Sequence, residues 1–186
     1  MQNPFPHIQQ PDAMECGATC LRMIAKYYGK EYTAETMQQL CLVTREGVSL
    51  LSVSDAAEYL GFRTVCGRIA LDKVIEQKPF PCILHWNQEH FVVLYNVKTK
   101  RNGEHIFYIA DPGKNLLQVN EDTFRNAWIS TRTHGEEKGV LMMLQPTPAF
   151  YEKKDERQKM EKPIRFLWSY IPVSYTHLTL PRIALC

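Results

Sequence analysis

Residues 9–30 read QQPDAMECGATCLRMIAKYYGK, and the pattern inside them sets one half of the fold. Pro11 and Asp12 open a helix: Asp12 serves as N-cap, Glu15 lies three residues on as in a capping box, and Gly29 supplies the stop. Cys20, Met23, Ile24, Tyr27 and Tyr28 recur at helical spacing and define the buried face. Cys20 belongs to that stripe, whereas Cys16 falls one turn earlier, at the helix entrance.

Working outward, the spacing predicts a second short helix from about Thr33 to Cys41 and a third from about Leu50 to Leu60, stopped by Gly61. From Phe62 the period changes. RTVCGRI reads as a strand, LDKVIEQ as a short helix, and PCILHW, HFVVLYNV and HIFYIADP as strands, with Asn102-Gly103 turning between the last two. Residues 121–128 read as a helical turn or two, and GVLMMLQP as a closing strand. Helices first and antiparallel strands afterwards indicate an α+β arrangement, a helical half packed on a sheet half, and exclude alternating βαβ units.

The chain has 186 residues, 45% hydrophobic and 23% charged, with a formal net charge of +2. That suits one compact domain with some excess, placed at residues 1–150. The basic residues are scattered, so nothing argues for nucleic acid. Beyond 150 comes a charged linker, residues 151–163, and then IRFLWSYIPV, residues 164–173, about half of the ~20 residues that span a bilayer and read as the start of a truncated membrane-associated segment. Residues 174–186 continue neither pattern and are left as an unassigned, foreign or frame-shifted tail. The N-terminus lacks a basic flank followed by an apolar stretch, so the domain is expected in the cytosol, where its cysteines stay reduced.

Cys16 in the first turn of a helix has unpaired backbone N–H groups and the positive end of the macrodipole beside it, which favour a thiolate. A nucleophile also needs a base and a group to orient that base. His90 opens an apolar strand just after the polar turn NQE, and Asp111 ends the next strand, where Pro112 stops pairing. If those strands are antiparallel neighbours, His90 and Asp111 are adjacent at one edge of the sheet. Acyl chemistry further needs donors for the developing oxyanion. The backbone N–H of Cys16 is one, and the side chain of Gln10 or Gln9 a second, between which spacing does not choose. A zinc reading built on Cys16, Cys20, His85 and His90 is weaker, because Cys20 keeps the period of the buried face. Trp86, just before the turn that presents His90, is a candidate wall of a substrate groove, and a buried tryptophan is the rival reading.

These residues carry a family resemblance. QQPDAMECGATCLRMIAKYYGK, GVSLLSVSDAAEYLGF, PCILHWNQEHFVVLYNV and FYIADP resemble, in order, the blocks of the C39 peptidases, papain-like cysteine peptidase domains at the N-terminus of peptide-exporting ABC transporters. The resemblance implies a papain-like fold, with Cys16 as nucleophile, His90 as general base and acid, Asp111 as the residue orienting the imidazole, and Gln10 rather than Gln9 as the oxyanion donor. It implies cleavage of the leader of a bacteriocin or signalling precursor after a double-glycine motif, with no metal or organic cofactor for that step. Implied partners are the leader-bearing precursor and the transmembrane and nucleotide-binding domains of a transporter. Those domains lie outside these residues, which contain no Gly-x-x-x-x-Gly-Lys-Ser/Thr loop, and ATP and Mg are expected only there. The implied location is the cytoplasmic, inner face of a bacterial membrane. A second reading is a C39-like docking domain that binds a secretion substrate without cutting it.

Overall fold

The computed structural model describes residues 5–133 and 136–155; the expected membrane-associated segment, the tail and most of the linker lie outside them. The helical half comes first. Asp12 caps a 3-10 turn, Ala13–Glu15, by accepting the Met14 N–H at 3.1 Å, and α1 (Cys16–Tyr27) continues from it. The expected capping box does not form, because Glu15 turns inward, 8% exposed, and caps nothing. α2 (Ala34–Leu40) and α3 (Leu50–Leu60) follow, with Thr33 and Ser49 as N-caps. α3 stops at Gly61, whose φ of +99° suits glycine and whose missing Cβ leaves room for the Phe150 backbone.

The remaining elements build one antiparallel sheet. β1 (Phe62–Ala70) leads through α4 (Leu71–Gln77) to β2 (Cys82–Trp86), β3 (His90–Thr99), β4 (His105–Ala110) and β5 (Leu116–Asn120). Then come α5 (Glu121–Trp128), β6 (Ile129–Thr133), β7 (Glu136–Pro146) and α6 (Pro148–Glu152). The strand order is β1-β7-β2-β3-β4-β5, with β6 beside β7. One edge of β7 pairs β1 from Lys138 to Pro146, while its other edge is shared, β6 taking Glu136–Gly139 and β2 taking Leu141–Met143.

β2 and β3 are buried on both faces, which is why PCILHW and HFVVLYNV read as continuous apolar runs. Ile83, Phe91 and Val93 face α1, α2 and α3 and join Leu21, Met23, Ile24 and Met37 in one core. Cys82, Leu84, Trp86, Val92 and Leu94 face the other way and pack with Phe124 and Trp128 of α5. The α+β reading holds in this two-sided form: three helices cover one face of the sheet, and α4 and α5 cover part of the other.

Three details depart from expectation. Tyr27 is 51% exposed and does not belong to the buried face of α1. β5, β6 and α6 were not anticipated. The packed body runs through Asp155, so the linker does not start at 151: Lys30 Nζ donates to the carbonyls of Tyr151 and Lys153 at 2.9 and 2.7 Å, and the buried Asp155 carboxylate accepts the Glu31 N–H at 2.9 Å.

Candidate active site

Cys16 is the first residue of α1, directly after the 3-10 turn Ala13–Glu15, and stands at the positive end of that helix. Its neighbour lets the helix sit deep: a Cβ on Gly17 would lie 2.6 Å from Val48 Cγ1, 2.9 Å from Val53 Cγ2 and 3.2 Å from Phe91 Cδ2. The glycine brings the entrance of α1 against the start of β3. Burial pushes the Cys16 thiol up, but hydrogen bonds from His90 and the Phe91 backbone, the charge of His90 and the Gly17 backbone together outweigh it and hold the thiol below its ordinary value of 9.0.

His90 pairs with Trp86 across the tight turn between β2 and β3, and Asp111 follows the last residue of β4. Because β3 and β4 are antiparallel, with Val93 opposite Ala110, both residues emerge at the same end of the sheet. His90 Nε2 donates to Asp111 Oδ1 at 2.8 Å. That leaves Nδ1 as the ring nitrogen for the Cys16 thiol. The bond to Asp111, then the bond to Cys16, raise His90 against the opposing effect of burial, to about 9. Burial likewise pushes the Asp111 carboxyl up, but hydrogen bonds from His90 and the Gly113 N–H, the latter at 2.9 Å, hold it below its ordinary value. The arrangement favours a thiolate and an imidazolium at neutral pH, with a buried carboxylate behind them.

Of the two glutamines, Gln9 is exposed, and Gln10 turns in. The Gln10 N–H donates to the Pro112 carbonyl at 2.9 Å, and its carboxamide carbon lies 3.8 Å from where a Gly113 Cβ would stand, which is itself 3.7 Å from His90 Cε1. Gln10 Oε1 is buried with no hydrogen-bond partner among the described residues. Oxygen and nitrogen of a carboxamide are nearly isosteric, and turning it over presents N–H donors at the same place. The structure thus brings Cys16, His90, Asp111 and Gln10 together.

It does not bring Trp86 to them. Trp86 is 8% exposed and packs edge-on against Phe124, with ring centroids 5.5 Å apart, in the core on the α5 side of the sheet. Cys20 is fully buried and donates its S–H to the Phe91 carbonyl at 3.3 Å, with its pKa raised well above the ordinary value by burial first. The two cysteines therefore bond the two ends of one residue, Cys16 the amide side of Phe91 and Cys20 its carbonyl. Sequence reasoning missed that role of Phe91 because it uses only backbone atoms. It also missed Gly113, for which the Asp-Pro-Gly run was the available signal.

A model described as the peptidase C39 family matches residues 4–133. The chain belongs to the peptidase C39 family. Among C39-type relatives, it is 33% identical over 156 residues to the lactococcin-G-processing and transport ATP-binding protein LagD of Lactococcus lactis subsp. lactis, which covers 81% of this chain and 20% of that protein. With the colicin V secretion/processing ATP-binding protein CvaB of Escherichia coli it shares 32% identity over 121 residues, 65% of this chain and 16% of that one. The chain thus spans a fifth or less of the length of these relatives. Among solved structures, a double glycine motif protease from an AMS/PCAT transporter in complex with the leader peptide matches with a TM-score of 0.64 and 33% identity, covering 76% of this chain and 91% of that one. The peptidase domain of Streptococcus ComA matches in fold, with a TM-score of 0.61 at 23% identity, over 77% of this chain and 100% of that one. Family and fold make this C39 chain a cysteine peptidase of papain-like architecture.

Proposed function

We propose that the chain is an endopeptidase that removes the leader from an exported peptide by cutting after a double-glycine-type motif, with Cys16 as nucleophile. The observation that carries this reading is the imidazole of His90, held between the Asp111 carboxylate at 2.8 Å and the Cys16 thiol at the entrance of α1. The Cys16 thiolate attacks the carbonyl carbon of the second small residue, and the new oxyanion takes hydrogen bonds from the Cys16 N–H and the Gln10 carboxamide. The C–N bond breaks as His90 gives its Nδ1 proton to the leaving amine, leaving a thioester on Cys16. His90, now neutral, takes a proton from water, the hydroxide attacks the thioester, and the leader leaves as a carboxylic acid that gives its proton to solvent, with the thiolate and the imidazolium restored. Met14, 40% exposed two residues before Cys16, supplies apolar surface for leader side chains beside the cut.

The leader complex of the double glycine motif protease supports this choice of substrate, as do the processing roles in the names of LagD and CvaB. By the same likeness, the full protein joins this domain to transmembrane and nucleotide-binding parts that use ATP and Mg, which would place it at the inner face of the membrane. No helix among the described residues is long and apolar enough to cross a membrane. A docking domain that binds without cutting needs none of the Cys16–His90–Asp111 linkage.

The test incubates the chain, beside Cys16→Ala, with synthetic leaders ending in Gly-Gly joined to a short cargo, and reads products by mass spectrometry. One cut after the second glycine, absent in the variant, is expected. Binding without cleavage across several leaders would replace this reading with docking.

A further inference from the structure

The segment before α1 carries Gln10 but has no helix or strand to hold it, and it is tied down at three points. Phe5 stacks on Tyr95, with centroids 4.7 Å apart and planes 8° apart, and meets Tyr27 at 5.2 Å. His7 Nε2 donates to the Asp111 carbonyl at 2.8 Å. The Gln10 N–H donates to the Pro112 carbonyl at 2.9 Å. The last two ties fasten the segment to the turn that bears Asp111. That turn is itself braced by the Asp111 N–H to the Asn115 carbonyl at 3.0 Å and the Lys114 N–H to the Asp111 carbonyl at 3.1 Å.

The Gln10 side chain has no bond from its Oε1 to fix it among the described residues. Its place is therefore set by its backbone, and its backbone by the ties at Phe5, at His7 and at its own N–H. From this arrangement we infer that His7 is a positioning residue, which clasps the segment to the Asp111–Gly113 turn and thereby holds the Gln10 carboxamide over the carbonyl being attacked. The inference rests on the peptidase reading and adds a residue to it.

His7 acts on Gln10 more than on the His90–Asp111 pair. It reaches Asp111 only through the main-chain carbonyl, while the carboxylate is held independently by the Gly113 N–H. The acceptor is a carbonyl, so Nε2 carries the hydrogen, and the same donor is present in the neutral and the charged ring.

Two reactions of the same thiolate separate these roles. Peptide cleavage builds an oxyanion, whereas displacement of iodide from iodoacetamide does not. His7→Phe keeps a flat ring and removes the donor, and His7→Gln returns an N–H donor on a flexible stem. In the full chain, His7→Phe should lower kcat for a Gly-Gly leader peptide about tenfold with KM within about twofold, less than the 10²–10³ lost when an oxyanion donor is removed outright. The rate at which iodoacetamide alkylates Cys16 should keep its wild-type value and pH profile. His7→Gln should recover most of the activity, and in a Gln10→Ala background His7→Phe should change nothing further.

Wild-type kcat in His7→Phe, no recovery in His7→Gln, or a full tenfold loss that persists without Gln10 would overturn the inference while leaving the peptidase reading intact. So would a shifted alkylation profile, which would place the effect on His90 instead. Absence of cleavage by the wild type would remove both.

Discussion

Replacing Asp111 by asparagine takes one charge out of the site and leaves its hydrogen-bond geometry satisfiable. Asp111 Oδ1 accepts both His90 Nε2–H, at 2.8 Å, and the Gly113 N–H, at 2.9 Å. Two donors converging on one point oblige an asparagine to keep its oxygen there, so the ring keeps its orientation and loses only the ionic part of its bond. A hydrogen bond to a charged group contributes about 1.5–3 kcal/mol, against about 0.5–1.5 kcal/mol for a neutral one. The difference, about 1–1.5 kcal/mol, is close to the roughly 1.4 kcal/mol of a tenfold change in proton affinity. His90, held at about 9 in the wild type, is then expected at about 8. The assay is leader cleavage followed across pH, where the basic limb reports loss of the His90 proton needed by the leaving amine. That limb should move from about 9 to about 8, with the plateau kcat falling by less than about tenfold. Asp111→Ala frees the ring and should lose more, about 10²–10⁴. Stability follows the same sign. The folded value of His90 lies above its ordinary 6.5, so its charge stabilises the native state fully below that value, and this contribution fades as pH rises through about 9. A basic limb that stays at about 9 in Asp111→Asn would refute the claim that the Asp111 charge holds the proton on His90.

At neutral pH, iodoacetamide should label Cys16 and the exposed Cys66 well before Cys20, Cys41 and Cys82, whose thiols burial raises, Cys41 to about 12; peptide mapping by mass spectrometry reads this order directly. Gly17→Ala places a methyl against Val48, Val53 and Phe91, and should destabilise the fold by about 1–3 kcal/mol in urea titration while lowering cleavage and Cys16 alkylation together. Cys20→Ala loses one S–H bond to the Phe91 carbonyl and a little packing. It should reduce stability by about 1–2 kcal/mol and leave kcat within about threefold, because Cys20 touches no reacting atom.

What the sequence disclosed, it disclosed through period and topology. The runs in β2 and β3 are apolar enough to be read as strands, and the Asn102-Gly103 turn makes β3 and β4 antiparallel neighbours, so the meeting of His90 and Asp111 followed before any contact was seen. Cys20 separated from Cys16 by position along the helix, because the two share a face one turn apart and only Cys16 stands at the entrance. Tyr27 misled because it keeps the phase, seven residues on from Cys20, yet is the last residue of α1, where its ring meets Phe5 of the segment outside the helix. β5 was illegible because it is an edge strand of five residues with alternate positions exposed, and β6 because ISTRT carries little apolar signal. The charged run after Pro148 hid the burial of Asp155, whose partner backbone is 124 residues away. His7 is illegible for the same reason, since its acceptor lies 104 residues further along the chain. Trp86 shows the limit of adjacency: next to the turn that presents His90, its side chain leaves on the other face of the sheet.

In the proposed mechanism the Cys16 sulfur itself takes the leader as a thioester. Mixing the chain with a Gly-Gly leader precursor, quenching in acid within one turnover and measuring the intact mass would test this most directly. An adduct equal to the leader through its second glycine less one water, mapped to Cys16 and released by hydroxylamine, is expected. Processing at the wild-type rate by Cys16→Ala, or an adduct mapped to another residue, would contradict it.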